Sequence, residues 1–290
     1  MQYSMNPYQG CEHGCIYCYA RNTHEFWGYG AGLDFERKIL IKKNAPILLE
    51  EKIRRKIWKA QTIVLSGNTD CYQPAEKQFK ITQACLEVFL KYKHPVGIIT
   101  KNALILRDIE LLKELSKDNL IGVNVSVTTL SEATRRILEP RTTTIKKRLE
   151  TIRILSENGI PVNAMLAPII PGINSHEVLS LAKAVAENGA VSFAFTVVRL
   201  NGALGQLFTD WIKKTMPDRA DKVLHQIAEC HGGSLNDSRF GIRSNGEGPI
   251  AKQIHNLMKL AKRTYFKDRV FPKLNTELHQ DYKDGQMRLF

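Results

Sequence analysis

Six short runs of β-branched and apolar residues recur along the first two thirds of the chain, around 2–6, 62–66, 96–100, 121–127, 161–167 and 192–198. Amphipathic stretches with helical spacing lie between them, at 45–59, 81–91, 106–116, 145–158 and 176–188. Strands alternating with helices of this length predict parallel βαβ units and an α/β fold. Local stop and start signals agree. Gly159 and Gly189 each follow a last helical turn, where a left-handed residue ends a helix, and Asn174-Ser175 offers an N-cap before the helix at 176–188. A chain of 290 residues can bury one large core, and one α/β barrel with an appendage fits it better than two equal domains.

The polar residues carry a positional message once the strands are placed. The loop at 6–18 follows the first strand and Gly67-Asn68-Thr69-Asp70 the second. Lys101-Asn102 follows the third, Ser126 and Thr128 end the fourth, Pro168 to Asn174 follows the fifth, and Arg199 and Asn201 follow the sixth. All of them stand at C-terminal strand ends, the face on which parallel barrels build their sites, so these scattered segments are expected to converge on one mouth.

Within the first of those loops, Cys11-Glu12-His13-Gly14-Cys15-Ile16-Tyr17-Cys18 holds three of the six cysteines at C-x3-C-x2-C spacing. Thiolates are soft ligands that select iron-sulfur clusters, zinc or Cu(I), and this loop supplies three sulfurs and no fourth. A structural zinc site is normally closed by four protein ligands, whereas a cubane held by three cysteines keeps one iron open. His13 or His24 offers a Cys3His zinc site as the alternative. A disulfide framework fits poorly, because the chain is long, no secretory signal is read at its start, and Cys85 and Cys230 fall in helical stretches as apolar thiols.

Composition narrows the setting. No run of about 18 apolar residues is present, so no membrane span is expected, and open thiolates suit a reducing cytoplasm. The formal charge of +13 favours polyanionic partners. Basic clusters at 52–59, 146–148 and 259–273 read equally as solvated helix faces or as a nucleic-acid surface.

The segment Cys11 to Cys18, with Tyr17 before the last cysteine, resembles the C-x3-C-x-aromatic-C signature of radical S-adenosylmethionine (SAM) enzymes. Within that superfamily the chain is similar to the spore photoproduct lyase branch and, more closely, to an uncharacterised bacterial group related to it. The resemblance rests on Asn6-Pro7-Tyr8-Gln9-Gly10, Cys15-Ile16-Tyr17-Cys18-Tyr19, Thr69-Asp70-Cys71-Tyr72-Gln73-Pro74, Thr100-Lys101, Ser126, Glu139-Pro140-Arg141 and, for the closer group, 236–241. It implies a partial (β/α)6 TIM-like barrel over 1–201 carrying the cluster and SAM site. A helical C-terminal extension over 202–290 would cover the barrel opening, with helices at 220–229 and 250–263, a glycine-rich loop at 232–248 and a partly ordered tail.

The same resemblance implies a 4Fe-4S cluster on Cys11, Cys15 and Cys18, with SAM chelating the open iron. One electron from the cluster then cleaves SAM to methionine and a 5'-deoxyadenosyl radical that abstracts hydrogen from substrate. A reducing donor of flavodoxin or ferredoxin type is implied, and DNA or RNA is suggested as substrate. Carried over residue by residue, Thr69 meets the SAM amino group, Lys101 its carboxylate and Ser126 the ribose, with Gly67, Asn68, Tyr17 and Arg141 among the cofactor-binding residues. The lyase has a hydrogen-donating cysteine where this chain has Gly67. Its reaction therefore cannot simply be transferred, and Cys71 and Tyr19 are the candidates for catalytic hydrogen transfer. Radical modification of a protein or small metabolite, and a non-catalytic iron-sulfur or zinc protein, are the competing readings.

Overall fold

The computed structural model describes residues 3–283. Six parallel strands form one sheet in sequence order: β1 (Tyr3–Met5), β2 (Ile63–Leu65), β3 (Val96–Thr100), β4 (Ile121–Ser126), β5 (Val162–Ile169) and β6 (Ser192–Val197). Register sets Leu65 beside Ile98, Ile98 beside Val123 and Val123 beside Val162, so one row of fully buried apolar side chains crosses four strands. A sheet covered on both faces needs such continuous apolar strands. With β1 and β6 unpaired to each other, the architecture is a partial TIM-like barrel with a helical extension.

The covering helices are α1 (Ala45–Arg54), α2 (Ile81–Lys91), α3 (Ile109–Lys117), α4 (Ile145–Glu157) and α5 (Val178–Glu187). In α5 the buried residues are Val178, Leu181, Ala182, Val185 and Ala186, one stripe at i, i+3, i+4, i+7 and i+8. Gly159 and Gly189 take φ of +71° and +96° just past α4 and α5, as their positions predict. Asn174 departs from expectation. Its amide donates to the Thr128 and Pro168 carbonyls at 2.8 and 3.0 Å and its oxygen accepts from Ile170 N, so it ties two strand ends together instead of capping a helix. Those buried carbonyls have no sheet partner there and need a donor.

Beyond β6 come α6 (Ala203–Thr215), which the sequence pattern did not predict, then α7 (Pro217–Glu229) and α8 (Gly248–Tyr265). Phe193 and Phe195 of β6 meet Phe266 and His255 edge-on, with ring centroids 5.0 Å apart in both pairs, so α8 and its C-terminal end cover the outer side of the last strand. The segment 232–248 continues that cover. Val197 N donates to Ser244 O at 2.9 Å and Leu200 N to Leu235 O at 2.8 Å, which occupies backbone groups that a free edge would expose. Near the chain end the helix Leu278–Lys283 is pinned by His279, whose ring nitrogens face Tyr92 O and Ile53 O at 2.6 and 3.2 Å. Residues 284–290 of the expected tail lie outside the described residues. No helix among the described residues is long and apolar enough to cross a membrane.

Candidate cluster and cofactor site

The cysteine loop is built on a glycine turn. Gly10 has φ of +81°, and a Cβ there would come within 2.9 Å of Lys38 O and 3.0 Å of Phe35 O. Only glycine fits both the angle and the space. The following amide, Cys11 N, then donates to Phe35 O at 2.8 Å. Arg21, fully buried, takes the loop from inside: its guanidinium donates to Cys15 O and Gly14 O at 3.0 Å each and pairs with Glu36 at 2.5 Å. The segment after β2 takes it from the side, because Glu12 N donates to Gln73 Oε1, Gln73 Nε2 to Gly10 O, and Ala75 N to the Glu12 carboxylate. With its backbone fixed by these partners, the loop presents Cys11, Cys15 and Cys18 as free thiols.

A cavity of about 650 Å3 opens at the C-terminal strand ends beside those thiols. Cys15, Tyr17, Cys18, Tyr19, Gly67, Asn68, Thr69, Lys101 and Ser126 all line it, which is the convergence the strand positions predict. Each is held. Asn6 Oδ1 accepts from Asn68 N at 2.8 Å and Thr69 N at 3.3 Å, while Thr69 Oγ1 donates to Tyr8 O at 2.5 Å. The Tyr19 hydroxyl donates to Gly67 O at 2.5 Å. Ser126 is fixed through its carbonyl, which accepts from Arg148 Nη1 at 3.1 Å. Cys11 is only 7% exposed and does not line the cavity, but Cys18 packs both against the apolar cluster that holds Cys11 and against the one that holds Cys15, so the three sulfurs share one neighbourhood.

Asp70 is the hub that joins the cysteine loop to the next strand. Its carboxylate accepts from Thr100 Oγ1 at 2.8 Å, Lys101 N at 2.7 Å and Tyr72 N at 2.9 Å, and stands 3.3 Å from His13 Nδ1. Burial alone would raise its pKa; His13 and these donors bring it below the usual carboxylate value. The Lys101 side chain projects into the cavity with its Nζ 6.0 Å from the Tyr17 ring centroid. Among the described residues, no carboxylate oxygen lies within 4.0 Å of that ammonium. Burial opposes its charge, but Cys15, Glu139 and Asp70 outweigh burial and hold the lysine protonated.

Glu139 is a second hub, a role that the motif Glu139-Pro140-Arg141 does not reveal by itself. It is fully buried and takes Tyr17 OH, Thr128 Oγ1 at 2.7 Å and Arg148 Nη2 at 2.5 Å. Burial would raise its pKa, but Arg148 and Lys101 hold it at about 2. Tyr17 thus offers its ring to the cavity and commits its hydroxyl to packing behind it.

Two expected site residues stand elsewhere. Cys71 is 0% exposed and does not line the cavity: its N donates to Ser66 Oγ and its carbonyl accepts from Thr82 Oγ1, both at 2.6 Å, and burial followed by Asp70 pushes its thiol well above the ordinary range. The chain turns inward immediately after Asp70, which puts this thiol in the core instead of the mouth. Arg141, instead of gripping a cofactor, donates to Glu12 O and pairs with Glu36, bracing the cysteine loop from its outer side. Arg199 lines the cavity, as its place after the sixth strand predicts; Arg243 also lines it and was not expected there. Arg243 arrives on the 232–248 segment, a contact no local pattern reveals.

The donor set suits a multi-iron cluster. The loop offers three free thiols, soft ligands of the kind that hold iron-sulfur clusters. Neither histidine of the zinc alternative is offered to the thiols: His13 faces Asp70, and His24 packs against Tyr29 and Phe35.

The model of the Radical SAM superfamily matches residues 5–185. The chain belongs to the radical SAM superfamily, whose cofactors are a 4Fe-4S cluster and SAM and whose enzymes require a reductant. An uncharacterised protein of Mycobacterium bovis is 31% identical over 219 residues, 75% of this chain and 64% of that protein, so the chain matches less than two thirds of this relative's length. A protein of Pseudomonas phage M6 named a radical SAM Nalpha-GlyT isomerase is 26% identical over 176 residues, 59% of this chain and 34% of that protein. Among solved structures, a spore photoproduct lyase variant with bound AdoMet and dinucleoside spore photoproduct superposes with a TM-score of 0.65 at 16% identity, covering 93% of this chain and 77% of that one. At that identity the likeness is one of fold.

Proposed function

We propose that this protein reductively cleaves SAM in the 650 Å3 cavity, with Cys11, Cys15 and Cys18 holding the cluster and Lys101 receiving the SAM carboxylate. The observation that carries the reading is the juxtaposition of free thiols with a partly buried ammonium that has no carboxylate partner among the described residues, on one cavity at the strand ends. When bound, cluster and cofactor supply an electron to a carbon–sulfur bond and so a radical able to abstract hydrogen from a substrate. The chain's own part is to bind, aim and exclude water. Lys101 provides a charge-assisted contact to a carboxylate, Thr69 and the loop from Gly67 position an amino group, and Ser126 offers a hydroxyl to a ribose. Tyr19, anchored on Gly67 O, walls the mouth beside the reacting region.

The proposed substrate class is nucleic acid. The charge of +13 supports it, as does the dinucleoside bound by the lyase of like fold. A flavodoxin- or ferredoxin-type donor in a reducing cytoplasm would deliver the electron.

The test is anaerobic reconstitution with iron and sulfide, then dithionite and SAM, with chromatography of products. Formation of 5'-deoxyadenosine and methionine is expected; a protein that holds zinc and no iron after reconstitution would contradict the reading. In the same assay Lys101→Met should weaken SAM binding by about 10- to 100-fold, since a hydrogen bond to a charged group contributes about 1.5–3 kcal/mol. Unchanged SAM affinity in that variant would remove Lys101 from the site.

A further inference from the structure

We propose that Arg199 and Arg243 form a phosphate-binding site for a nucleic-acid strand at the mouth of the cavity, with Phe240 as its stacking face. The inference deepens the reading of this cavity as the SAM-cleaving site by naming what recognises the substrate.

Both guanidinium groups line the cavity from the β6 side. Arg199 stands just past the end of β6, and Arg243 is delivered beside it by the clamp between Val197 N and Ser244 O. The segment 232–248 has two acidic residues of its own, Asp237 and Glu247. Neither serves the cavity arginines. Arg239 takes both, with Nη2 2.7 Å from Asp237 Oδ2 and 2.5 Å from Glu247 Oε1. Arg199 Nη1 donates only a 3.3 Å bond to the Asp237 carbonyl, and among the described residues no carboxylate lies within 4.0 Å of Arg199 or Arg243.

Two neighbouring guanidinium groups left without anions repel each other and lose hydration as a ligand enters, unless that ligand is itself anionic. The SAM carboxylate does not satisfy them, being assigned to Lys101 at the end of β3. A phosphodiester does, because its two free oxygens match the fork of a guanidinium. Phe240 adds a stacking surface beside these cations. It is 91% exposed, and the Arg243 guanidinium lies 5.7 Å from its ring centroid. An exposed aromatic face beside unpaired cations is how single strands are held without reading sequence, base on ring and backbone on arginine. A small phosphorylated metabolite would use the cations and leave Phe240 idle.

The experiment is fluorescence anisotropy of the full chain with a short labelled oligothymidylate across a salt series, with thymidine 5'-monophosphate as competitor. Arg243→Gln breaks no hydrogen bond given for that side chain, so it tests the site without disturbing the loop. It should weaken strand binding about tenfold and flatten the log–log salt slope by about 0.7, the value of one lost phosphate contact on a single strand. Phe240→Ala should weaken binding about tenfold with the slope unchanged. Lys117→Gln, at the C-terminal end of α3 and so near the N-terminal ends of the strands, opposite the mouth, is the control and should bind as the parent does.

Equal binding by Arg243→Gln and the parent would overturn the inference, as would an equal loss in Lys117→Gln. Saturable, Arg243-dependent binding of the monophosphate without binding of the strand would overturn the polymer and point to a small phosphorylated substrate. Formation of 5'-deoxyadenosine by a protein that does not bind the strand would sink this inference and leave the SAM reading intact; strand binding that depends on Arg243 in a protein unable to cleave SAM would do the reverse.

Discussion

Cys15→Ala is expected to lower 5'-deoxyadenosine formation by at least about 10³, to the floor of a product assay, because the rate enhancements of enzymes commonly exceed about 10⁶ and here the whole of it depends on the cofactor. The fold should survive. Cys15 sits on a loop held by Arg21, Gln73 and Arg141 through backbone groups, and none of those bonds uses the thiol. Circular dichroism of the variant should therefore match the parent. Cys71→Ala gives the contrast, since its thiol is buried in the core away from the cavity: cleavage should be retained. Full activity in Cys15→Ala, or its loss in a well-folded Cys71→Ala, would break the assignment of roles.

The second large effect is on stability. Arg148→Ala leaves Glu139 fully buried without its guanidinium partner, and removing one member of such a pair costs about 3–5 kcal/mol. Urea unfolding should show the midpoint falling with the slope unchanged. A loss below about 1 kcal/mol, the range of an exposed pair, would contradict the network. Replacing both residues, with Arg148→Met and Glu139→Leu together, should recover part of the loss because the Glu139 carboxylate is no longer stranded, while Lys101 loses one of its neighbouring anions. The pH dependence follows in sign. Glu139 is ordinarily near 4.5 and is held at about 2 in the folded chain, so its stabilisation is complete above 4.5 and is lost as pH falls toward 2.

The strand and helix order was legible because the physics there is local. A β-branched run such as 121–126 and a stripe such as Val178, Leu181, Ala182 and Val185 state their own period. The thiols and Lys101 were legible for a related reason: each stands at a strand end, and a parallel sheet brings strand ends together whatever the loops do. Asn174, Cys71 and Arg141 misled because their neighbours in sequence are not their neighbours in space. A carbonyl left over at Thr128 decided the first, an inward turn after Asp70 the second, and Glu36 on a separate short helix the third. Arg243 was invisible for the strongest form of that reason. Its place depends on one backbone bond between Val197 and Ser244 in a glycine-rich segment with no periodicity to read.

The central claim is that Cys11, Cys15 and Cys18 hold a cluster with one iron open to SAM beside Lys101. Electron paramagnetic resonance of the reconstituted, dithionite-reduced protein, recorded with and without SAM, tests it most directly. The account predicts the signal of a reduced cubane that changes shape when SAM is added, and a much weaker response to the same SAM concentration in Lys101→Met. A reduced cluster whose signal SAM leaves unmoved at saturating concentration would contradict it.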